Sequence, residues 1–225
     1  MTDFGLYLVI TNPVVGYAKC AEAAVRAGVK IIQLRMKHAP REAILREAVE
    51  MRRVTAGTDT CFIVNDDPSI AAEAGADGVH VGQGDLAPAE VRRLYPTLRI
   101  VGLSTHNLAQ AEASKTQPVD YIGVGPVYAT PTKEIPDPTL GPELAGKMLA
   151  TANVPALAIG GINAETLPAV LAVGARNFAV VRAVCASPDP YAAIRRLQQT
   201  AEEWMHFPQP MQSATGLPPI VVRCQ

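Results

Sequence analysis

The chain has 225 residues, of which 48% are hydrophobic and 18% are charged, so it can bury a sizeable core and global disorder is excluded. Its formal charge of −1 gives no electrostatic case for a nucleic-acid partner or for an anionic membrane surface. No apolar run has the length of a bilayer span, and the N-terminus has no basic segment followed by an apolar one. We therefore expect no secretory signal, no membrane partner and a cytoplasmic location.

Eight short apolar segments, each followed by a segment with helical spacing, make up most of the chain. The predicted strands cover residues 6–10, 31–35, 61–64, 78–81, 100–103, 121–124, 156–159 and 178–181. The predicted helices cover residues 17–27, 41–56, 69–74, 88–94, 108–115, 143–151, 164–172 and 189–204. Because most of these strands are apolar with little alternation, we expect both of their faces to be covered.

Glycines mark an internal repeat, since Gly28, Gly75 and Gly174 each stand between a predicted helix and strand two, four or eight. A repeat of two β/α units in an eight-unit chain is expected of a barrel whose alternate strands form layers. The competing fold, an open doubly wound sheet, usually carries Gly-x-Gly-x-x-Gly after its first strand, and none follows here. We predict an α/β fold with a single (β/α)8 TIM barrel over residues 1–204.

Residues 205–225 do not follow the β/α pattern, because they are rich in proline and have no hydrophobic period. We predict a C-terminal tail that carries no chemistry. Two interpretations stay open for it, namely loose packing on the barrel and a contact within a homo-oligomer.

Polar residues collect at the carboxyl ends of the predicted strands, which is where the active site of a TIM barrel lies. These strand ends carry Gln33, Arg35, Lys37, Asn65, Asp66, Gln83, Asp85, Ser104, Thr130, Thr132, Lys133, Gly160, Gly161 and Arg182. The loop from Thr130 to Lys133 combines two hydroxyls with one ammonium group. Hydroxyls, a lysine and nearby glycines are what phosphate oxygens need, so this loop predicts a phosphate contact.

The charged residues divide into a cationic set and an acidic pair. Arg35, Lys37 and Lys133 supply enough positive charge to hold a diphosphate. Asp66 and Asp85 follow adjacent strands, so their carboxylates can converge, and such a pair beside phosphate predicts Mg²⁺ between them. The alternative is that each aspartate caps the helix that follows it. The nearby cation and amide favour the metal.

A second anion site is predicted at Gly160-Gly161 and the end of strand eight, where barrels often bind phosphate with backbone amides. Two anion sites imply one diphosphate and one monophosphate substrate, and hence a transferase. His38, His80 and His106 could each act as a general base, but His80 lies within a strand and is interpreted as structural. His106 lies near the barrel mouth and stays open as a general base.

At these motifs the sequence resembles the thiamine-phosphate synthase family. The resemblance spreads from about residue 6 to residue 184 and follows the family order. It is carried by Gln33-Leu-Arg-Met-Lys37, Asn65-Asp66, residues 75–85, 102–107, 120–126, Thr130-Pro-Thr-Lys133 and residues 158–162. The Gly-Gln-x-Asp segment that ends at Asp85 and the Thr-Pro-Thr-Lys segment are the most specific of these.

The resemblance implies a reaction that joins hydroxymethylpyrimidine diphosphate to hydroxyethylthiazole phosphate and releases pyrophosphate, with Mg²⁺ as cofactor. It implies that pyrophosphate leaves first and that the thiazole nitrogen captures the resulting pyrimidine cation. It assigns the metal to Asp66 and Asp85, and the diphosphate to Arg35, Lys37, Asn65 and Lys133. It assigns the pyrimidine to Gln33 and Ser104, and the thiazole phosphate to Thr130, Thr132, Gly161 and the backbone near Val181. The residues expected to act in catalysis are Lys133, Arg35, Lys37 and Ser104.

The sequence departs from the family pattern at Arg182, where family members commonly have a serine that donates to the thiazole phosphate. We keep Arg182 as a substrate-binding candidate that acts by charge. Three rival interpretations stay open: a thiazole tautomerase relative that needs no metal, another phosphate-sugar barrel enzyme, and a non-catalytic barrel that binds thiamine precursors. Metal-dependent release of pyrophosphate separates the synthase from all three.

Overall fold

The computed structural model describes residues 3–130 and 137–206 and confirms the predicted TIM barrel. The eight strands are β1 (Leu6–Ile10), β2 (Ile31–Leu34), β3 (Cys61–Asn65), β4 (Gly78–Val81), β5 (Ile100–Thr105), β6 (Tyr121–Val124), β7 (Ala156–Ile159) and β8 (Asn177–Val180). Each strand pairs in parallel with the next one in sequence, and β8 pairs with β1 to close the sheet. The closed parallel barrel places all eight strand ends at one mouth, where the polar residues were expected.

The helices follow the strands as predicted, with one addition. They are α1 (Tyr17–Arg26), α2 (Arg41–Thr55), α3 (Pro68–Glu73), α4 (Pro88–Leu94), α5 (Leu108–Ser114), α6 (Gly141–Thr151), α7 (Leu167–Ala172), α8 (Arg182–Cys185) and α9 (Pro190–His206). The unpredicted element is α8, whose four residues are too few to show a helical period. The last helix, α9, runs to His206 and so ends two residues after the predicted domain boundary. No helix in the described ranges has both the length and the apolarity needed to cross a bilayer.

The start of α7 differs from the prediction because a local turn replaces its first residues. The side chain of Asn163 accepts hydrogen bonds from the backbone N–H groups of Glu165 (2.8 Å) and Thr166 (3.1 Å). Such an asparagine turn offers the backbone an alternative to helical hydrogen bonds. The helix therefore begins at Leu167 rather than at Ala164.

Alternate residues of the strands face two separate apolar cores. On β1, Leu6, Leu8 and Ile10 pack between the barrel and the helices. Tyr7 and Val9 point instead into the barrel interior. Both sets are buried, which explains why the strands showed little hydropathic alternation although their side chains do alternate. Burial of one such large side chain contributes roughly 1.5–3 kcal/mol.

The base of the barrel, opposite the mouth, is held by Asp77. Its carboxylate accepts hydrogen bonds from Arg52 (3.2 Å), from Arg99 (2.8 Å) and from the backbone N–H of Phe62 (2.8 Å). The side chain of Asp77 is only 7% exposed, so these contacts lie largely out of water. They tie α2, β3 and the start of β5 together away from the polar strand ends.

The N-terminal residues close the base of the barrel from below. The side-chain oxygen of Asn177 accepts hydrogen bonds from the backbone N–H groups of Phe4 (2.7 Å) and Gly5 (3.0 Å). This holds the Phe4 ring 6.2 Å from the Tyr7 ring and 6.5 Å from the Tyr121 ring, measured between centroids. The three aromatic rings fill the lower part of the barrel interior.

Candidate active site

A cavity of about 440 Å³ opens at the mouth of the barrel, where the strands end. Its wall brings together eight of the predicted site residues, which come from six different strand ends and the loops after them. They are Gln33, Arg35, Asn65, Ser104, Thr130, Gly161, Val181 and Arg182. A cavity of this size accommodates a small organic substrate.

Three other predicted residues lie beside the cavity rather than in its wall, and we call Lys37, Asp66 and Asp85 the rim cluster. The Lys37 ammonium forms an ion pair with the Asp66 carboxylate. Asp66 directly follows Asn65, which lines the cavity, so the cluster adjoins the cavity wall. Thr132 and Lys133 lie outside the described residues, and their predicted roles stay predictions.

Helix capping does not account for Asp66. The N-cap of α3 is Asp67, whose carboxylate accepts from the backbone N–H groups of Ser69 (2.8 Å) and Ile70 (3.0 Å). Asp66 instead adopts a left-handed backbone conformation with φ of 66°, and its N–H donates to the carbonyl of His80 (2.8 Å). A non-glycine residue in this region is uncommon, and such conformations cluster at functional sites.

Capping does not account for Asp85 either. Helix α4 begins after Ala87 and has no side-chain cap. The Asp85 carboxylate accepts from the backbone N–H of Gly82 (2.7 Å) within a tight turn. Its pKa is raised, first because it is partly desolvated and then because the Asp66 carboxylate lies beside it, while Lys37 acts in the opposite direction. Two neighbouring carboxylates of this kind are chemically suited to a shared divalent cation.

Arg35 places an uncommitted positive charge in the cavity wall. Its backbone N–H donates to the carbonyl of Ile10 (2.9 Å), which fixes the residue at the end of β2. Its guanidinium makes no hydrogen bond or ion pair with the residues of the two described ranges. Burial lowers the pKa of Arg35, and the Asp66 charge opposes that shift. The group is therefore partly desolvated and available to an anionic ligand.

The glycine pair after β7 brings the backbone against the opposite wall of the cavity. Gly160 and Gly161 have φ values of 104° and 67°. A Cβ atom at Gly160 would lie 2.6 Å from Pro126, and one at Gly161 would lie 2.6 Å from the Cβ of Tyr128. Glycine is required at both positions for conformation and for space. This wall can present backbone groups to a ligand without side chains in the way.

At the start of α8, Val181 and Arg182 complete this second wall. Val181 precedes the helix as its N-cap, and Arg182 is the first helical residue. Arg182 is exposed, lines the cavity and makes no side-chain hydrogen bond or ion pair with the described residues. Of the described residues, Arg182 is therefore the cation of the second wall, on the side of the cavity away from the rim cluster.

The cavity floor is a continuous line of hydrogen-bonded side chains, which we call the floor relay. It runs from Gln33 Nε2 to Tyr7 Oη (2.8 Å), to Tyr121 Oη (2.8 Å), to His80 Nδ1 (2.9 Å), and from His80 Nε2 to Ser104 Oγ (2.9 Å). Burial is the main reason that the pKa values of Tyr7 and Tyr121 are raised, so both phenols stay protonated. Sequence reasoning predicted only the two ends of this relay.

His80 has a structural role, as interpreted from the sequence, because both ring nitrogens have hydrogen-bond partners. It also lines the cavity, which the sequence interpretation missed. Its ring stacks on Tyr121 with centroids 5.4 Å apart. Gly102 makes room for this stack, since a Cβ atom there would lie 2.2 Å from Tyr121 and 2.5 Å from His80.

His106, the other histidine considered as a base, also lines the cavity. Its Nδ1 lies 2.6 Å from the carbonyl oxygen of Gly125 and 3.5 Å from a carboxylate oxygen of Asp137. A carbonyl at this distance requires a proton on Nδ1, so this nitrogen serves to hold the ring in place. The arrangement connects β5 to the chain segment that follows β6.

Comparison of the sequence with known proteins points to one family. The sequence model of the family described as thiamine monophosphate synthase matches residues 6–184. A thiamine-phosphate synthase from Gloeobacter violaceus is 44% identical over 185 residues, which are 82% of this chain and 54% of that protein. One from Methanoregula boonei is 39% identical over 202 residues, which are 87% of this chain and 94% of that protein. The chain thus spans about half the length of the first relative and nearly all of the second.

A solved structure agrees with these sequence relatives. The thiamine phosphate pyrophosphorylase from Pyrococcus furiosus superposes with a TM-score of 0.82 at 28% identity. The match covers 91% of this chain and 98% of that one. The barrel is therefore shared over essentially its whole described length.

Proposed function

The chain belongs to the thiamine monophosphate synthase family, and from this membership we propose that it joins hydroxymethylpyrimidine diphosphate to hydroxyethylthiazole phosphate, releasing pyrophosphate. The observation that supports the proposal is that one cavity has groups suited to anions on two of its walls. One wall carries Arg35 beside the rim cluster, and the other carries the glycine pair and Arg182. A transferase with one diphosphate and one monophosphate substrate needs such a division.

The diphosphate is assigned to Arg35, Lys37 and Asn65, together with Lys133 from outside the described residues. Asp66 and Asp85 fit Mg²⁺, because hard carboxylate oxygens are its preferred protein ligands and one or two of them suffice when phosphate oxygens complete the shell. The described residues hold no group of three or more metal-ligating side chains, so substrate oxygens would have to complete the shell. When bound, Mg²⁺ would neutralise negative charge on the leaving diphosphate.

The pyrimidine is assigned to the floor, between Gln33 and Ser104, and the thiazole phosphate to the second wall. The thiazole phosphate would be held by Thr130, Gly161, Val181 and Arg182, together with Thr132 from outside the described residues. In this arrangement the two rings lie over the cavity floor and the two anionic groups point to opposite walls. Such positioning converts a reaction between two molecules into one within a single complex.

The proposed chemistry needs no activated nucleophile from the protein. If pyrophosphate leaves first, the protein must stabilise the leaving charge and keep water from the pyrimidine cation until the thiazole nitrogen reaches it. Arg35 and Lys37 would stabilise the leaving charge, and the enclosed floor would keep water out. Ser104 would orient the pyrimidine.

We further propose that the protein acts in the cytoplasm and that its barrel domain spans residues 1–204. The tail, assigned to residues 205–225, would take no part in the reaction. Whether it contacts a second copy of the chain is a matter for measurement of the oligomeric state.

The test is release of pyrophosphate by the purified protein given both substrates, with Mg²⁺ or with a chelator. We expect release only when both substrates and the metal are present. The Arg35→Ala variant should lose most of this activity, whereas Arg46→Ala, an arginine of the outer helix α2, should keep it. If the wild-type protein releases no pyrophosphate when both substrates and Mg²⁺ are present, the proposal is overturned in favour of a tautomerase or a binding role.

A further inference from the structure

The floor relay contains three residues to which the proposed function assigns no role. They are Tyr7 on β1, Tyr121 on β6 and His80 on β4. The relay joins the two proposed pyrimidine contacts, Gln33 and Ser104, although these lie on β2 and β5, on different sides of the barrel. The floor is therefore a single hydrogen-bonded unit.

One assignment of protons gives every donor in the relay a partner. The Gln33 amide nitrogen donates to Tyr7, so the single phenolic proton of Tyr7 is directed to Tyr121. The proton of Tyr121 is then directed to Nδ1 of His80, which must be unprotonated to accept it. The neutral imidazole carries its proton on Nε2 and donates it to Ser104. The Ser104 hydroxyl proton remains to point into the cavity.

Filling of the barrel interior does not by itself explain this choice of residues. Two buried phenols and a partly buried imidazole all need hydrogen-bond partners, since a polar group that is removed from water and left unpaired is destabilising. Apolar side chains of the same shape would fill the space without that requirement. Tyr7 is 1% exposed and Tyr121 is 2% exposed, so bulk water does not serve as the hydrogen-bond partner of either hydroxyl.

We propose that Tyr7, Tyr121 and His80 are positioning residues that hold Ser104 as a hydrogen-bond donor toward the pyrimidine ring. This inference rests on the proposed function and concerns the pyrimidine substrate alone. An aminopyrimidine offers ring nitrogens as acceptors, which suit a fixed hydroxyl donor at one end of the floor and an amide at the other. The thiazole substrate, held by the second wall, does not depend on the relay.

The decisive experiment is a double-mutant cycle between Tyr121→Phe and Ser104→Ala, read as the KM for each substrate in the pyrophosphate assay. Tyr121→Phe keeps the ring that packs on His80 and removes only the hydroxyl. We expect it to raise the KM for the pyrimidine diphosphate up to about tenfold and to leave the KM for the thiazole phosphate unchanged. In the Ser104→Ala background the same change should have little further effect, because its target has been removed.

Three further variants make the result specific. Tyr95→Phe removes a hydroxyl at the end of α4, away from the cavity, and should behave as wild type. Tyr7→Phe provides a second break in the relay in case Tyr121→Phe does not fold. His80→Gln can still place an N–H toward Ser104 and should rescue part of the KM effect that His80→Leu produces.

The outcomes distinguish this inference from the proposed function. Additive effects of Tyr121→Phe and Ser104→Ala, or equal effects on both substrates, in an otherwise active protein would show that the relay is only structural. A wild-type protein that releases no pyrophosphate would overturn the proposed function and this inference with it.

Discussion

Asp67 caps helix α3 and thereby leaves its neighbour Asp66 free for the rim cluster. The Asp67 carboxylate accepts the two backbone N–H groups at the helix start. Burial acts to raise its pKa, but hydrogen bonds from the Ser69 hydroxyl and from these N–H groups outweigh that effect and lower it. The Asp66 carboxylate pairs with Lys37 and lies beside Asp85. Two adjacent aspartates thus have different tasks, one for folding and one for ligand binding.

The rim cluster predicts a trade-off between stability and metal binding at Asp85. Because its folded-state pKa is raised, the ionised carboxylate is less favourable in the folded than in the unfolded protein. Without metal, this carboxylate reduces stability as pH rises from about 3.9, the ordinary aspartate value, through the raised folded value. Asp85→Asn should remove this loss and raise the Tm at pH 7 by up to about 2 °C, a small gain because the group is exposed.

The same variant should lose the rise in Tm that Mg²⁺ with the pyrimidine diphosphate produces in the wild-type protein. Asp67→Ala is the matched control, since it should lower stability by about 1 kcal/mol through loss of the cap and keep the response to Mg²⁺. Thermal unfolding with and without the metal measures both effects. A full Mg²⁺ response in Asp85→Asn would remove Asp85 from the metal site.

Gly161 predicts a specific loss of affinity for the thiazole phosphate. Gly161→Ala adds a Cβ 2.6 Å from that of Tyr128 and 3.0 Å from the carbonyl of Ala129, so the second wall must shift. The KM for the thiazole phosphate should rise at least about tenfold, since a misplaced contact near the reacting groups is costly. The KM for the pyrimidine diphosphate should change little.

Gly57→Ala is the control for Gly161→Ala. Gly57 has a similar φ of 73°, but a Cβ atom there meets nothing within 4 Å. Both variants pay about 1–2 kcal/mol for the left-handed conformation, and only Gly161→Ala also has a clash at the cavity. Equal kinetics for the two variants would mean that the glycine pair does not form the phosphate wall.

We predict that the Arg182 guanidinium contacts the thiazole phosphate through its charge, in place of the serine hydroxyl common in the family. Arg182→Ala should raise the KM for the thiazole phosphate about five- to tenfold at low salt, and by less at high salt, because exposed charges are screened. Arg176→Ala, another exposed arginine at the base of the barrel, should have no effect at either ionic strength. A KM unchanged by Arg182→Ala would show that the side chain points away from the phosphate.

Replacement of Asp77 should cause a large loss of stability that does not depend on the active site. Asp77→Ala leaves the Phe62 N–H and two arginines without their buried acceptor, which should cost about 2–4 kcal/mol. Asp59→Ala removes an ion pair with Lys30 whose aspartate is 94% exposed, and it should change stability by less than about 1 kcal/mol. Urea unfolding compares the two, and similar losses would contradict the assignment of Asp77 as a structural centre.

The barrel could be predicted from the sequence because its signals are local and repeated. Each strand is a short apolar segment, and Gly28, Gly75 and Gly174 end helices with positive φ values. The boundaries that differed depend on contacts absent from periodicity. The turn at Asn163 is one example, since it delays α7 through side-chain hydrogen bonds.

Candidate site residues were predicted where charge stands at a strand end, as for Arg35 and Arg182. The floor relay was not predicted, because tyrosines within strands are indistinguishable from core aromatics in a single sequence. The inward-facing positions of the strands could have indicated the floor relay. Once alternate residues are assigned to the barrel interior, Tyr7, His80 and Tyr121 join Gln33 as interior residues that carry hydrogen-bonding groups in otherwise apolar strands.

Phe4 gives the N-terminal segment an influence on the opposite end of the barrel. Its ring lies directly beneath Tyr7 and Tyr121, held there by the hydrogen bond from its N–H to Asn177. Deletion of the first five residues would remove this plug and admit solvent to the phenols from below. An amino-terminal truncation would then be observed as a defect in pyrimidine recognition, although no deleted residue contacts the substrate.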